Sequence, residues 1–192
     1  MLRRYPILAA ILGVVALAQG CAPVIVAGGA TAAAAAGERR TLGAFVDDGS
    51  IEIKARKALN DERDFGDDVH INITSMNGIV LLTGETTTAD KRDRAMALIR
   101  EIPGIRSIVS EIRVAEPRAF AYTTHDGWIT GKVKAKLLGI EGLPSNQIKV
   151  VTENSVVYLM GLVKQKEGDM AAEATRTVGG ITRVVKLFEY LD

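Results

Sequence analysis

The sequence predicts an α+β fold in which one small unit is used twice. Three observations carry that prediction. Residues of 47–114 recur in the same order in 126–192. Within each copy the apolar spacing alternates between helical and strand periods. An Asn-containing two-residue turn, Asn77-Gly78 or Asn154-Ser155, sits at the same place in both. The matches are ordered: Asp48-Gly49 with Asp126-Gly127, Ile51 with Ile129, Lys54 with Lys132, and Leu59 with Leu137. They continue with Ile71 and Ile148, Asn77 and Asn154, Val80 and Val157, Leu82 and Leu159, Gly84 and Gly161, and Gly104-Ile105 and Gly180-Ile181. The offset slips by single residues between blocks, as short loop deletions would cause, and an ordered series of this kind marks a duplication.

The chain opens on a different kind of segment. Arg3 and Arg4 precede an apolar run from Ile7 to Ala18, and Gln19-Gly20 precede Cys21. This is the charged, apolar and small-residue sequence of a secretory signal over 1–20. The run is too short for a membrane-spanning helix, which needs roughly 20 apolar residues. Cys21, the chain's one cysteine, lies where cleavage would fall, so the segment resembles the lipobox of bacterial lipoproteins. That resemblance implies an acylated Cys21 at the mature N-terminus. Ala18 stands where the lipobox prefers Leu, with Leu17 one place earlier, while Gly20 fits. The alternatives are an uncleaved anchor or a soluble periplasmic product. Ala22, in place of Asp, implies by the lipoprotein sorting pattern the outer membrane. Residues 21–46 then read as the lipidated cysteine and a flexible tether, low in complexity and without periodicity. As coil such a stretch spans on the order of 25–30 Å; the alternative is a short helix over the alanines of 30–36.

In the first copy, 47–114, Ile51, Ala55, Ala58 and Leu59 form a helical stripe. Val69, Ile71 and Ile73 alternate with His70, Asn72 and Thr74 as a strand does. Asn77-Gly78 is a hairpin turn, since both residues tolerate positive φ. The return strand covers 79–82 and is expected to end at Gly84. A second helix follows Thr87 or Thr88, with Ala95, Leu98, Ile99 and Ile102 inward, and Pro103-Gly104 stops it. A last strand covers about 108–114. Residues 115–125, with Pro117, read as a mobile or surface linker. The second copy, 126–192, repeats the order, with Met170, Ala174 and Val178 expected inside its second helix and a last strand near 183–190. Units of about 65 residues are near the lower limit for independent folding. The two are therefore expected to pack together or to be separately marginal.

Charge is balanced, with 24 basic and 23 acidic residues. That disfavours a nucleic-acid partner, which needs a basic excess. His70 and His125 lack partners at metal-ligand spacing, so no metal is expected. No nucleophile motif is present, Gly28-Gly29 and Gly179-Gly180 lack the context of a phosphate loop, and Asp47-Asp48 and Asp67-Asp68 read as capping or solvated carboxylates. The chain is not expected to be an enzyme or to hold a cofactor.

The stretch 126–138 begins the second copy as a short amphipathic helix. Asp126 reads as its N-cap. Ile129, Val133 and Leu137 share one stripe, Lys132, Lys134 and Lys136 spread over the remainder, and Trp128 lies near the start. Such a helix suits a surface that meets anionic headgroups; equally, it reads as a core helix whose lysines face water. In the first copy Ser50 stands where Trp128 stands, beside Glu52. Residues 48–114 hold two more acids than bases, and 115–192 one more base than acids.

Together the repeated helix-strand-strand-helix-strand order, the Asn turn, Gly84 and Gly161, and the Gly-Ile pairs before the last strands resemble the BON domain. The Trp-Ile-Thr-x-Lys-Val stretch at 128–133 and Val-Tyr-Leu-Met-Gly-Leu-Val at 157–163 resemble the second domain of the dual-BON outer-membrane lipoproteins. The resemblance covers about 47–190 plus the Cys21 region. It implies, for each unit, a three-stranded mixed sheet packed on two helices. It further implies binding of anionic phospholipid centred on Trp128, Ile129, Lys132, Lys134, Lys136 and Leu138, with a role in envelope integrity and at the division site. A second expectation is a non-enzymatic adaptor whose sheet face or linker docks an envelope protein, such as an assembly component or a protease.

Overall fold

The computed structural model describes residues 39–116 and 120–191, without the side chains of 120–123. The signal 1–20, Cys21 and most of the expected tether lie outside the described residues. The order is α1 (Leu42–Asp61), β1 (Val69–Met76), β2 (Ile79–Thr86), α2 (Ala89–Arg100), β3 (Ser107–Val114), α3 (Phe120–Leu138), β4 (Ile148–Glu153), β5 (Val156–Lys164), α4 (Gln165–Arg176) and β6 (Arg183–Leu191). Each unit has one mixed sheet, β1-β2-β3 or β4-β5-β6. The hairpin pairs antiparallel and the strand after the crossover helix pairs parallel to the central one. Parallel pairing demands that crossover, which explains why a helix must separate the second and third strands.

The apolar stripes settle where the periods placed them. Ile51, Ala55, Leu59, Val80, Leu82, Ala95 and Ile99 form the first core, closed by Phe65 from the loop before β1. Ile129, Val133, Leu137, Val157, Leu159 and Val163 form the second. In α4 the deepest residues are Ala171, Ala172 and Thr175, whereas Met170 and Ala174 are only partly covered. The small residues bring α4 close to the sheet: a Cβ at Gly168 would stand 3.0 Å from the Phe188 ring. Thr88 caps α2, accepting from the Lys91 N–H at 3.3 Å.

Gly84 and Gly161 do not end their strands; both lie within them, opposite Ile71 and Ile148. A Cβ at Gly84 would fall 2.0 Å from the His70 carbonyl oxygen, and one at Gly161 2.3 Å from that of Gln147. Glycine is required here because the backbone of the neighbouring strand fills the side-chain space.

Four other expectations need correction. The first helix starts at Leu42, capped by Thr41, so the expected tether gives up its last five residues to α1. Likewise α3 starts at Phe120, inside the expected linker 115–125. Asp126 is thus no N-cap. It lies mid-helix, 5 % exposed, and accepts from the Asn154 and Ser155 N–H groups at 2.7 and 2.8 Å. Asp48 is likewise neither a cap nor solvated. It accepts from Asn77 N–H, Gly78 N–H and the Ser75 hydroxyl at 2.7, 2.9 and 2.6 Å, and Arg40 pairs with it at 3.0 Å. Both turns have positive φ at their two central residues, including the non-glycine Asn77, Asn154 and Ser155. The helix carboxylate supplies the acceptor that the turn's inward N–H groups lack.

The units pack sheet against sheet. Met76, Leu81, Tyr158 and Met160 are buried between them, with Ile79, Val109, Val151, Val156, Val185 and Leu187 alongside. The layers therefore run helices, sheet, sheet, helices. A sheet face free to dock an adaptor's partner, one of the expected surfaces, is not available, because each sheet covers the other. Polar links ring this apolar seam. Glu153 accepts from Asn72, Glu111 from Tyr158 and Arg183, Glu189 from Asn77 and Arg106, and Glu52 from Lys149. Burial beside Glu111 pushes the Tyr158 phenol up to about 12. Before α1, Arg39 clasps the second unit: its N–H donates to Gln147 Oε1 at 2.8 Å and its guanidinium binds Glu167 twice, at 2.5 and 2.8 Å.

Asp126→Ala leaves two turn N–H groups without their acceptor, and about 2–3 kcal/mol of stability should be lost in urea unfolding. The Arg39 hydrogen bond is the first cause holding Glu167 at about 2, below its ordinary 4.5. A carboxylate depressed in the fold contributes stability above its unfolded pKa and loses it as pH falls through the folded one. The melting temperature of Glu167→Gln should therefore fall less steeply than that of the parent chain between pH 5 and 2.

Candidate functional site

The buried stripe of α3 decides what its other side presents. Asp126, Ile129, Val133 and Leu137 point into the second unit, Ile129 and Val133 with no exposed surface. Thr130 donates to the Thr152 hydroxyl on β4 at 2.8 Å, which sets the helix against the sheet edge. On the opposite side Trp128, Gly131, Ala135 and Leu138 are exposed and recur at i, i+3, i+7 and i+10, the spacing of one helical face. Trp128 is 57 % exposed and Leu138 74 %, so the ridge has a large apolar group at either end. At 1.5 Å per residue these ends are about 15 Å apart. A Cβ at Gly127 or Gly131 would meet nothing within 4 Å, so neither glycine is required by packing inside the fold.

Lysines flank the ridge. Lys134 lies on one side and Lys136 on the other, both exposed. Lys132 is half-buried: its ammonium stands 3.7 Å from the centre of the Trp128 ring and donates to the Gly179 carbonyl at 2.9 Å. His125 lies beside the indole, tilted by 34°, with ring centroids 5.9 Å apart. Among the described residues none of the three lysines is ion-paired with a carboxylate. The result is an amphipathic tip bordered by cations, a form suited to an interface between water and an apolar phase.

Four of the six expected contact residues, Trp128, Lys134, Lys136 and Leu138, thus lie on one outer surface. Lys132 belongs to it through the indole. Ile129 does not: it is fully buried in the core and cannot meet a lipid without unfolding α3. Its i, i+4, i+8 spacing with Val133 and Leu137 already assigned it to the inner stripe. The carbonyl of Gly179 that orients Lys132 comes from the loop after α4, and no local signal announces that contact. Cys21 lies outside the described residues. Among the described residues, no helix is long and apolar enough to cross a membrane.

A family model described as BON domain matches residues 47–116 and again 125–192. Across 185 residues the chain is 34 % identical to Outer membrane lipoprotein DolP of Haemophilus influenzae, covering 96 % of each chain. It is 33 % identical over 153 residues to the 21 kDa hemolysin of Actinobacillus pleuropneumoniae, covering 80 % of this chain and 79 % of that one. With Osmotically-inducible protein Y of Escherichia coli it shares 27 % over 146 residues, covering 74 % and 72 %.

Removing the ammonium that covers one face of the indole should open it to solvent. In Lys132→Ala the fluorescence of Trp128, the chain's single tryptophan, should be quenched faster by acrylamide. Stability should fall by only about 0.5–1 kcal/mol, the size of an exposed cation–π contact.

Proposed function

The chain belongs to the BON-domain family, and on that premise we propose that it is an outer-membrane lipoprotein whose second domain binds anionic phospholipid through α3. The protein is held at the periplasmic face by acyl groups on Cys21 and acts without catalysis, supporting envelope integrity, with the division site as its place of action. The similarity to a protein named as an outer membrane lipoprotein, over nearly the full length of both chains and so including the Cys21 region, supports the address. The observation that carries the lipid reading is the outward Trp128 with Lys132 laid on its ring and Lys134 and Lys136 beside it, none of them held by a carboxylate.

The energies are those of a weak contact made effective by an anchor. Each lysine near an anionic surface contributes about 1 kcal/mol, reduced by salt. The indole adds an interfacial attachment. Acylation makes encounter with the bilayer intramolecular, and a high local concentration turns a weak site into an occupied one. The first domain has no counterpart of this tip: at the position of Trp128 stands Ser50, half-buried. The adaptor reading is the weaker one, since the sheet faces it would use are turned toward each other.

The test uses the chain of residues 22–192, without the apolar segment and the acylated cysteine, so that neither forces binding. It should associate with phosphatidylglycerol vesicles and not with phosphatidylcholine vesicles. Neutralising Lys134 and Lys136 to Gln should weaken association by about 30-fold at low salt, from about 2 kcal/mol, and Trp128→Glu should abolish it while the fold is kept, with a stability loss no larger than that of Lys132→Ala. Equal binding by the folded variants and the parent would reject α3 as the contact.

A further inference from the structure

The face that α1 turns to solvent is apolar. Leu42, Phe45, Val46 and Ile53 are 59, 59, 66 and 71 % exposed. Leu42, Val46 and Ile53 follow one line along the helix, opposite the buried line of Asp48, Ile51, Ala55 and Leu59. One exposed leucine has no meaning. Three large apolar side chains within the first five residues of a helix form a patch, and patches mark contacts.

The fold also places this patch. The buried residues of α1 begin at Asp48, the carboxylate bonded to the hairpin turn. Residues 42–47 therefore overhang their own unit. The segment before them is fastened to the second unit by Arg39, through Gln147, Glu167 and the Leu162 carbonyl. Arg40 is committed to Asp48 and lies 5.7 Å from the Phe45 ring centre. The overhang thus runs beside the second unit. A groove of about 420 Å³ is lined by Phe45 and Glu52 of α1, by Lys134 of α3, and by Asn146, Ile148 and Lys149. Lys134, Asn146 and Ile148 also border the adjoining depression under Leu138. Phe45 and Lys134 share one groove and Lys134 and Leu138 the next, so the Phe45 edge of the α1 patch adjoins the face of α3.

The chain leading to the patch names the occupant. Seventeen residues, 22–38, separate Cys21 from Arg39, and in any conformation they reach no farther than about 60 Å. The start of α1 is the first described helix after the anchor. Farther along α1, Lys54, Arg56 and Lys57 are exposed, against Asp47 and Asp61, of which Asp61 is paired with Lys57. The flank therefore does not repel an anionic surface.

We propose that Leu42, Phe45 and Val46 enter the headgroup region of the same bilayer that α3 contacts, so that both domains meet the membrane. This rests on the lipid reading of α3 and extends it to the first domain. Two helices of one body, touching at separate places, would fix the orientation of the protein on the membrane, which a single helix tip leaves free to rotate.

The experiment uses the acylated full chain in phosphatidylethanolamine–phosphatidylglycerol bilayers. Spin labels are placed one at a time at Leu42→Cys, Val46→Cys and, as a control on the exposed end of α2, Arg100→Cys. Cys21 is consumed by acylation, so each variant carries one label. Trp128 reports on α3 through quenching by brominated acyl chains, and melting temperatures confirm the fold of each variant. The proposal expects labels at 42 and 46 to show a severalfold loss of accessibility to a water-soluble nickel chelate and a gain to oxygen, relative to 100. Labels at 42 and 46 as wet as 100, with Trp128 quenched, overturn the proposal and leave the α3 reading standing. Wet labels with Trp128 unquenched overturn both. Dipolar coupling between labels on separate chains, with no change in oxygen access, overturns it in favour of a second copy on this face.

Discussion

A carboxylate on the buried side of each domain's first helix closes the neighbouring hairpin, and the rest of the arrangement depends on that bond. Asp48 and Asp126 each accept two backbone N–H groups from a turn whose residues have positive φ. A buried carboxylate is tolerated only when its oxygens are satisfied, and the turn is tolerated only when its N–H groups are. Each needs the other, so the helix is fixed both along and around its axis. The rotation follows directly. With 3.6 residues per turn, the residue two positions after Asp126 lies roughly 200° round the helix. Burying Asp126 and Ile129 forces Trp128 outward.

The same scaffold thus presents different things at its two ends. In domain 1 the equivalent bond leaves Ser50 half-buried where domain 2 has its indole, while the part of α1 before Asp48 exposes Leu42, Phe45 and Val46. The two domains also cannot be treated as beads on a string. Their sheets share an apolar seam of Met76, Leu81, Tyr158 and Met160, ringed by carboxylates that each reach across to the other domain. For units this small, the shared seam supplies burial that neither core provides alone. It also removes from solvent the sheet faces that a docking role would have used.

Much of this was legible beforehand. Strand alternation in β1, the Asn turns, the inner faces of α1, α2 and α3, and the duplication were read from spacing alone. Spacing reports which side of an element is apolar, and burial obeys it. At Asp126 and Gly84 a distant partner overrules the local meaning of the residue. Asp126 before an apolar run has the look of a cap, and only the arrival of the Asn154 turn makes it a buried acceptor. Gly84 has the look of a stop, and only the proximity of the His70 carbonyl makes it an interior necessity. Residues 42–46 and 120–125 have weak periodicity, so spacing does not mark them as helix although both are helical. Ile129 was assigned both to the core stripe and to the contact surface, and the core claims it.

The unit, its duplication, the composition of each core and the concentration of an indole and lysines in one helix are all written in the order of the residues. These are local properties, since period, turn chemistry and side-chain type act over a few residues. Folding in three dimensions settles which sheet faces are covered, that the Lys132 ammonium is held by the Gly179 carbonyl, and that the segment before α1 is fastened to domain 2 by Arg39 and Glu167. Those outcomes arise between residues far apart in the chain. Their contacts exist only once the chain has folded, and no pattern along it encodes the distance between them.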